Sequence, residues 1–152
     1  TVVPEGPVCG CGQHGHLEAV ANGPALARQA VERIRAGEPS SLAYDVRAGK
    51  RIGGRDVGQA ARAGDPLAVD IVTHAGMAVG SHLASLVHAF NPEVIVLGGG
   101  VSTLGDVLLE PMKRTLHAQL MSPAYAEGLR LELAALGDDA GLIGAMVLAR
   151  ES

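Results

Sequence analysis

The stretch from Asp65 to Pro92 constrains this chain more than any other. Asp65-Pro66 is a strong helix start, with an aspartate placed as N-cap and a proline at the first helical position. Asn91-Pro92 is an equally clear stop. Between them, Leu67, Ile71, Ala75, Ala78, His82, Leu86 and Phe90 recur at three- and four-residue spacing, which predicts one long helix to about Phe90. Gly76 and Gly80 lie four apart on another face of it. Glycine inside a helix costs up to about 1 kcal/mol relative to alanine. Two on one face imply that something approaches this backbone closely.

The rest of the chain is arranged around that helix. Residues 1–15 form an ordered loop, and one or two helical turns follow from His16 to Ala21. Asn22-Gly23-Pro24 stops one helix and starts the next, with Gly23 suited to positive φ and Pro24 to a first helical position. Ala25–Ala36 is a helix with Leu26, Ala30 and Ile34 on one face. Gly37–Gly54 is mostly loop, and Asp56–Ala63 is a short helix ended by Gly64. Val94-Ile95-Val96-Leu97 is an unalternated β-branched run, expected of a strand covered on both faces. A helix follows over about Gly105–Leu120, striped by Leu108, Met112, Leu116 and Leu120. Pro111 is expected in its first turn, which would move the true start toward Leu109. Leu129–Leu136 is a second strand, and Asp138-Asp139 cap a last helix to about Arg150.

At 152 residues the chain suffices for one domain with a real core. Residues are 47% hydrophobic but only 2% aromatic, so alanine, valine, leucine and isoleucine must build that core. A net charge of −4 with no basic stripe argues against binding nucleic acid through this chain. No apolar run is expected to reach the roughly 18 residues of a membrane span, and no signal-peptide pattern opens the sequence. A cytoplasmic protein is the default expectation.

Two motifs carry chemistry. Gly98-Gly99-Gly100 ends the apolar strand and feeds a helix, the place where open α/β sheets bind ligands. Glycines let a base, ribose or phosphate touch the main chain, although they also permit a tight turn. The pattern is neither a Walker loop nor a dinucleotide fingerprint. The second motif is Cys9 to Glu18, CGCGQHGHLE, which holds both cysteines of the chain. Cys9, Cys11 and His16 are good zinc ligands, and the intervening glycines let the loop fold back. A closed site needs four donors, so His14 or an outside group would complete it. A turn with incidental cysteines is the alternative. Glu18 sits at a helix start, where it either serves the helix dipole or accepts hydrogen bonds from sugar hydroxyls. His74, His82, His88 and His117 fit surface or satisfied core positions.

In order and spacing, C-x-C-G-x-x-G-x-L-E, then N-P-E-V-I-V-L-G-G-G-V-S, then L-G-D-D-A-G-L-I-G-A resemble the ROK family of bacterial sugar kinases and sugar-responsive repressors. The resemblance covers essentially the whole chain. It implies an α/β fold, one lobe of the hexokinase/actin-like (ribonuclease H-like) ATPase architecture, helix-rich with a small sheet. Residues 1–18 would be the zinc and sugar loop, 19–90 a helical part and 91–152 a nucleotide-side βαβα part. It implies structural zinc on Cys9, Cys11 and His16, with His16 where the family has a third cysteine. The family's fourth ligand, an upstream histidine, would fall just before Thr1. Glu18 matches the sugar-contacting glutamate, and Gly98, Gly99 and Gly100 match glycines near the nucleotide. ATP with magnesium and a hexose are the implied ligands. The family's D-x-G-x-T phosphate loop and its catalytic aspartate have no match here, so no catalytic residue is expected in this chain. The resemblance therefore implies the C-terminal half of a glucokinase-like kinase, inactive alone, and associated with its other lobe or with further copies. The alternative it leaves is the effector domain of a ROK repressor.

Overall fold

The structure is a computed structural model and describes residues 1–151. Helices α1 (Leu17–Ala21), α2 (Gly23–Arg35), α3 (Ala43–Arg47), α4 (Gly54–Arg62) and α5 (Pro66–Phe90) precede strand β1 (Val94–Leu97). Then come α6 (Asp106–Gln119), strand β2 (Arg130–Leu133) and α7 (Ala140–Glu151). The two strands pair in parallel, with Val94 opposite Arg130 and Leu97 opposite Leu133. Helix α6 is the crossover that parallel pairing requires. The chain thus combines a helical layer with a small βαβ sheet.

Helix α5 is the spine. Asp65 accepts the Ala68 N–H at 2.9 Å, which caps the helix start. Asn91 ends the helix in the left-handed conformation at φ 44°, a region asparagine tolerates. The first half of α5 packs Leu67, Ile71 and Ala75 against Leu26, Ala30 and Ile34 of α2 and Val57 of α4. The second half buries Leu83, Ala84 and Val87 against Met112 and Leu116 of α6, with Ile95 and Leu131 of the sheet beside them.

The two glycines of α5 meet α6. A Cβ on Gly76 would lie 2.6 Å from the Leu108 carbonyl oxygen, and one on Gly80 would lie 2.3 Å from that of Met112. The nearest atom in each case is backbone, which cannot swing aside as a side chain can. Pro111 also belongs to this contact. It is buried inside α6, past the first turn, and its ring would lie 2.9 Å from a Gly76 Cβ. The helix therefore starts at Asp106, not Leu109, and the packed ring compensates for the missing N–H.

Other expectations shift for physical reasons. The stripe on α5 holds at Leu67, Ile71 and Ala75 but then drifts, leaving Phe90 76% exposed. Steps of four residues overrun a 3.6-residue turn, so the buried face moves to Gly80, Leu83, Ala84 and Val87. Helix α3 forms inside the segment expected to be mostly loop, and α4 begins at Gly54, not Asp56. Gly23 is the first residue of α2 and is not among the glycines with positive φ. Strand β1 is covered on one face only: Ile95 and Leu97 face the core, and Val96 is 59% exposed. Among the described residues, helices cover the sheet on that single side. The second strand is shorter than Leu129–Leu136. The cap expected of Asp138 lies outside the described side chains. Helix α5 is also, by length and composition, long and apolar enough to cross a membrane, with mean hydropathy 1.2 over its best window. Half of that window is buried inside the protein, so its apolarity serves the core.

Asp65 does more than cap. Its Oδ2 accepts hydrogen bonds from Ser40 Oγ at 2.9 Å, Ser41 Oγ at 2.8 Å and the Ser41 N–H. Burial alone would push its carboxyl up, but the hydrogen bonds from Ala68, Ser41 and Ser40 together hold it below the ordinary aspartate value.

Two predictions test this packing. Gly80→Ala should cost about 2 kcal/mol in urea unfolding despite its better helix propensity, because the methyl meets backbone. Gly144→Ala in α7, where a Cβ meets nothing, should instead stabilise by up to about 1 kcal/mol. A lowered folded value means that Asp65 contributes its full stabilisation above its ordinary value of 3.8. That contribution is lost as pH falls from there toward the folded value. Urea midpoints should therefore drop between pH 5 and pH 3 by more in the parent chain than in Asp65→Ala, while Asp65→Ala costs about 2 kcal/mol at neutral pH.

Candidate functional site

The N-terminal loop is a hairpin built by backbone bonds. Val8 bridges His14, the Cys9 N–H donates to the Gln13 carbonyl at 2.7 Å, and the Gly12 N–H donates to the Cys9 carbonyl at 2.9 Å. Gly12 takes φ 85° at the tip. Gly15 takes φ 66°, and a Cβ there would lie 1.7 Å from the Val3 carbonyl oxygen. Both glycines of G-x-x-G are therefore required by the turn itself.

This turn brings donors together. One ligand atom each from Cys9, Cys11 and His16 lies within 4.8 Å of the others, and Cys11 Sγ is 3.3 Å from His16 Nδ1. Ligands spaced by a tetrahedral zinc with 2.3 Å sulfur bonds sit about 3.8 Å apart, so two thiolates and one imidazole here fit a zinc-sized ion. Cys9 is buried and Cys11 exposed, and neither is in a disulfide. His14 does not join them: its Nδ1 lies 3.0 Å from the Gly6 carbonyl oxygen, to which its N–H donates. Among the described residues no fourth donor joins these three, so closing a tetrahedral site would take one from elsewhere.

Glu18 follows in the first turn of α1. The Cys9 thiol points at its Oε2 across 3.9 Å, so the cysteine hairpin and the acid are neighbours. A small pocket of about 240 Å³ is lined by Cys9, Glu18, Asn22, Pro24 and Arg28, among others.

The glycine turn lies in a second, larger cleft of about 780 Å³. Gly98, Gly99 and Gly100 form one wall, the start of α2 at Asn22, Gly23 and Pro24 another, and Arg51 to Arg55 a third. Leu26, Ala27, Ile52, Val101 and Leu104 supply apolar lining. Gly99 needs to be glycine for its φ of 91°. Gly100 does not, since a Cβ there would meet nothing, and one on Gly98 would make only an ordinary contact at 3.5 Å. The fold thus demands glycine at one position of three. Ser102 Oγ donates to the Gly99 carbonyl at 2.6 Å and Thr103 Oγ1 to that of Gly100 at 2.7 Å, which holds the turn open toward the cleft. Leu104 anchors it from below by inserting over Gly58 of α4, where a Cβ would lie 2.1 Å from its Cδ2.

The two pockets share Asn22 and Pro24. The glycine shelf and Glu18, widely separated in sequence, thus face cavities on either side of the start of α2. Among the described residues, the charged side chains lining the larger cleft are Arg51 and Arg55. Those arginines, the Gly53-Gly54 pair and Asn22 escaped the sequence reading. The available signal was R-I-G-G-R at 51–55, a glycine pair between arginines. Its necessity is tertiary: a Cβ on Gly54 would lie 2.5 Å from the Gly23 Cα.

Comparison with known proteins gives a consistent answer. The family model described as "ROK family" matches residues 1–152. A glucokinase of Halalkalibacterium halodurans is 43% identical over 95% of this chain and 44% of its own length. The DNA-binding transcriptional repressor Mlc of Escherichia coli is 32% identical over 97% of this chain and 35% of its own length. Among solved structures, a ROK family glucokinase from Streptomyces griseus in complex with glucose and AMPPNP superposes with a TM-score of 0.78 at 35% identity. That match covers 99% of this chain and 49% of the glucokinase. The chain spans a little under half the length of the glucokinases it matches. It belongs to the ROK family, and its α/β fold is that of one lobe of the actin-like ATPase architecture.

If the hairpin is a metal site, the protein purified with zinc should carry about one equivalent, and the double variant Cys9→Ser, Cys11→Ser close to none. Chelation should lower the melting temperature of the parent and leave the double variant unmoved, since ion binding adds to folding stability.

Proposed function

We propose that this chain is the C-terminal part of a glucokinase-like, ATP-dependent hexose kinase, acting in the cytoplasm. The carrying observation is that the Glu18 pocket and the triglycine cleft are adjacent, sharing Asn22 and Pro24. Phosphoryl transfer needs a sugar hydroxyl and a terminal phosphate within bonding reach, so abutting cavities are what it requires.

In this reading the sugar lies by Glu18, whose carboxylate accepts hydrogen bonds from ring hydroxyls and orients them. The nucleotide lies in the larger cleft, its base on Ile52, Val101 and Leu104 and its sugar-phosphate part against the bare backbone of Gly98, Gly99 and Gly100. Magnesium accompanies the phosphates. Cys9, Cys11 and His16 hold zinc, which stiffens the hairpin behind Glu18 and takes no part in transfer. The general base and the phosphate loop belong to the other lobe. The uncovered face of β1, with Val94 and Val96, and the exposed Leu142, Met146 and Val147 of α7 suit contact with that lobe or with a further copy of this chain. The glucose and AMPPNP of the Streptomyces griseus complex support both ligands.

The similarity to Mlc favours a second reading, the sugar-binding effector domain of a repressor. Nucleotide binding separates the two. In calorimetry the chain should bind both magnesium–AMPPNP and glucose. Glu18→Gln should weaken glucose by about tenfold, as expected when a charged hydrogen-bond acceptor is lost, with AMPPNP unchanged. Glucose binding without AMPPNP binding would favour the repressor. Sugar-dependent ADP release by the chain alone would overturn the division of labour proposed here.

A further inference from the structure

Asn22 stands where the two pockets meet, between the end of α1 and the first residue of α2. Its Oδ1 accepts the Ala25 N–H at 2.7 Å. That bond settles the orientation of the amide: the oxygen serves as the helix cap, so the NH2 group must face away from the helix start. Asn22 is half-buried, and among the described residues its NH2 group has no hydrogen-bond partner. No buried side-chain nitrogen or oxygen among the described residues lacks a partner, so this NH2 is not sealed in the core but opens to the surface of the cavity wall, where a ligand can reach it. A donor held rigidly by its own carbonyl in the wall between two cavities is prepared for a ligand.

We propose that the Asn22 NH2 donates a hydrogen bond to the terminal phosphate of the donor nucleotide, at the point where that phosphate meets the sugar. An NH2 group can only donate. Glu18 on one side is an acceptor suited to sugar hydroxyls, so the donor at the junction complements the strongest acceptor expected there, a phosphate oxygen. The inference rests on the two-pocket reading above. It adds a second duty to a residue whose visible one is capping.

Two substitutions separate the duties, because serine and aspartate also cap helices. Asn22→Ser removes the NH2 without adding charge, and Asn22→Asp replaces it with an anionic oxygen. Binding of magnesium–AMPPNP and of adenosine is measured for the parent and both variants, together with melting temperature. The expected result is a loss of about tenfold in AMPPNP affinity for Asn22→Ser, as for a hydrogen bond to a charged group, and a larger loss for Asn22→Asp. Adenosine affinity and melting temperature should hold in both. Unchanged AMPPNP affinity would overturn the assignment, as would an equal loss for adenosine, which would trace the effect to the shape of the cleft. Failure of the parent to bind AMPPNP would overturn the nucleotide reading itself, and this assignment with it.

Discussion

The most extensive helix–helix contact among the described residues is between α5 and α6, made through Gly76 and Gly80, and the position of the sheet follows from it. With no Cβ at those positions, the carbonyls of Leu108 and Met112 come nearly onto the α5 backbone. Helix α6 is the crossover between β1 and β2, so its depth on α5 sets where the sheet lies. The triglycine turn leaves the end of β1 and reaches α6 through Leu104. Its position in the cleft is therefore a consequence of two glycines some twenty residues earlier in the chain. Dispersion and apolar burial provide the stabilisation here, and glycine provides the geometry that lets them act.

The same device recurs wherever the site is assembled. Gly54 permits α4 to meet the start of α2, Gly58 receives Leu104, and Gly15 folds the cysteine hairpin under Val3. A core almost without aromatics has little bulk to fill gaps, so it closes by bringing backbones together. Glycines at these positions serve that closure, and several others, such as Gly12 and Gly99, serve turns with positive φ instead.

Much of the fold was legible because local signals agreed with the tertiary result. Asp65-Pro66 and Asn91-Pro92 bracket a helix of the expected length, and Leu26, Ala30 and Ile34 are buried as their spacing predicts. Disagreement arose where a partner element decides. Pro111 is tolerated inside α6 because Gly76 receives its ring. The buried face of α5 drifts because steps of four residues overrun a 3.6-residue turn, while α6 packs along it from Gly76 onward. Strand β1 has the sequence of a strand covered twice but is covered once, since the described residues supply helices to one side of the sheet. In the candidate site, type and spacing single out Cys9, Cys11, His16 and Glu18, and the fold brings the first three together. Asn22, Arg51 and Gly54 are not singled out, since nothing local shows that they border a cavity.

The chemistry of the chain was determined by its sequence alone: the thiols and imidazole that suit a soft ion, the acid after them, the bare glycines ending a strand, and the long spine. These depend on residue type and near-neighbour spacing, which covalent geometry carries directly. Only tertiary structure decided that His14 turns away to Gly6, that two arginines border the glycine shelf, and that the start of α2 divides one pocket from the other. Each depends on contacts between segments distant in sequence, where close packing, not local propensity, selects the arrangement.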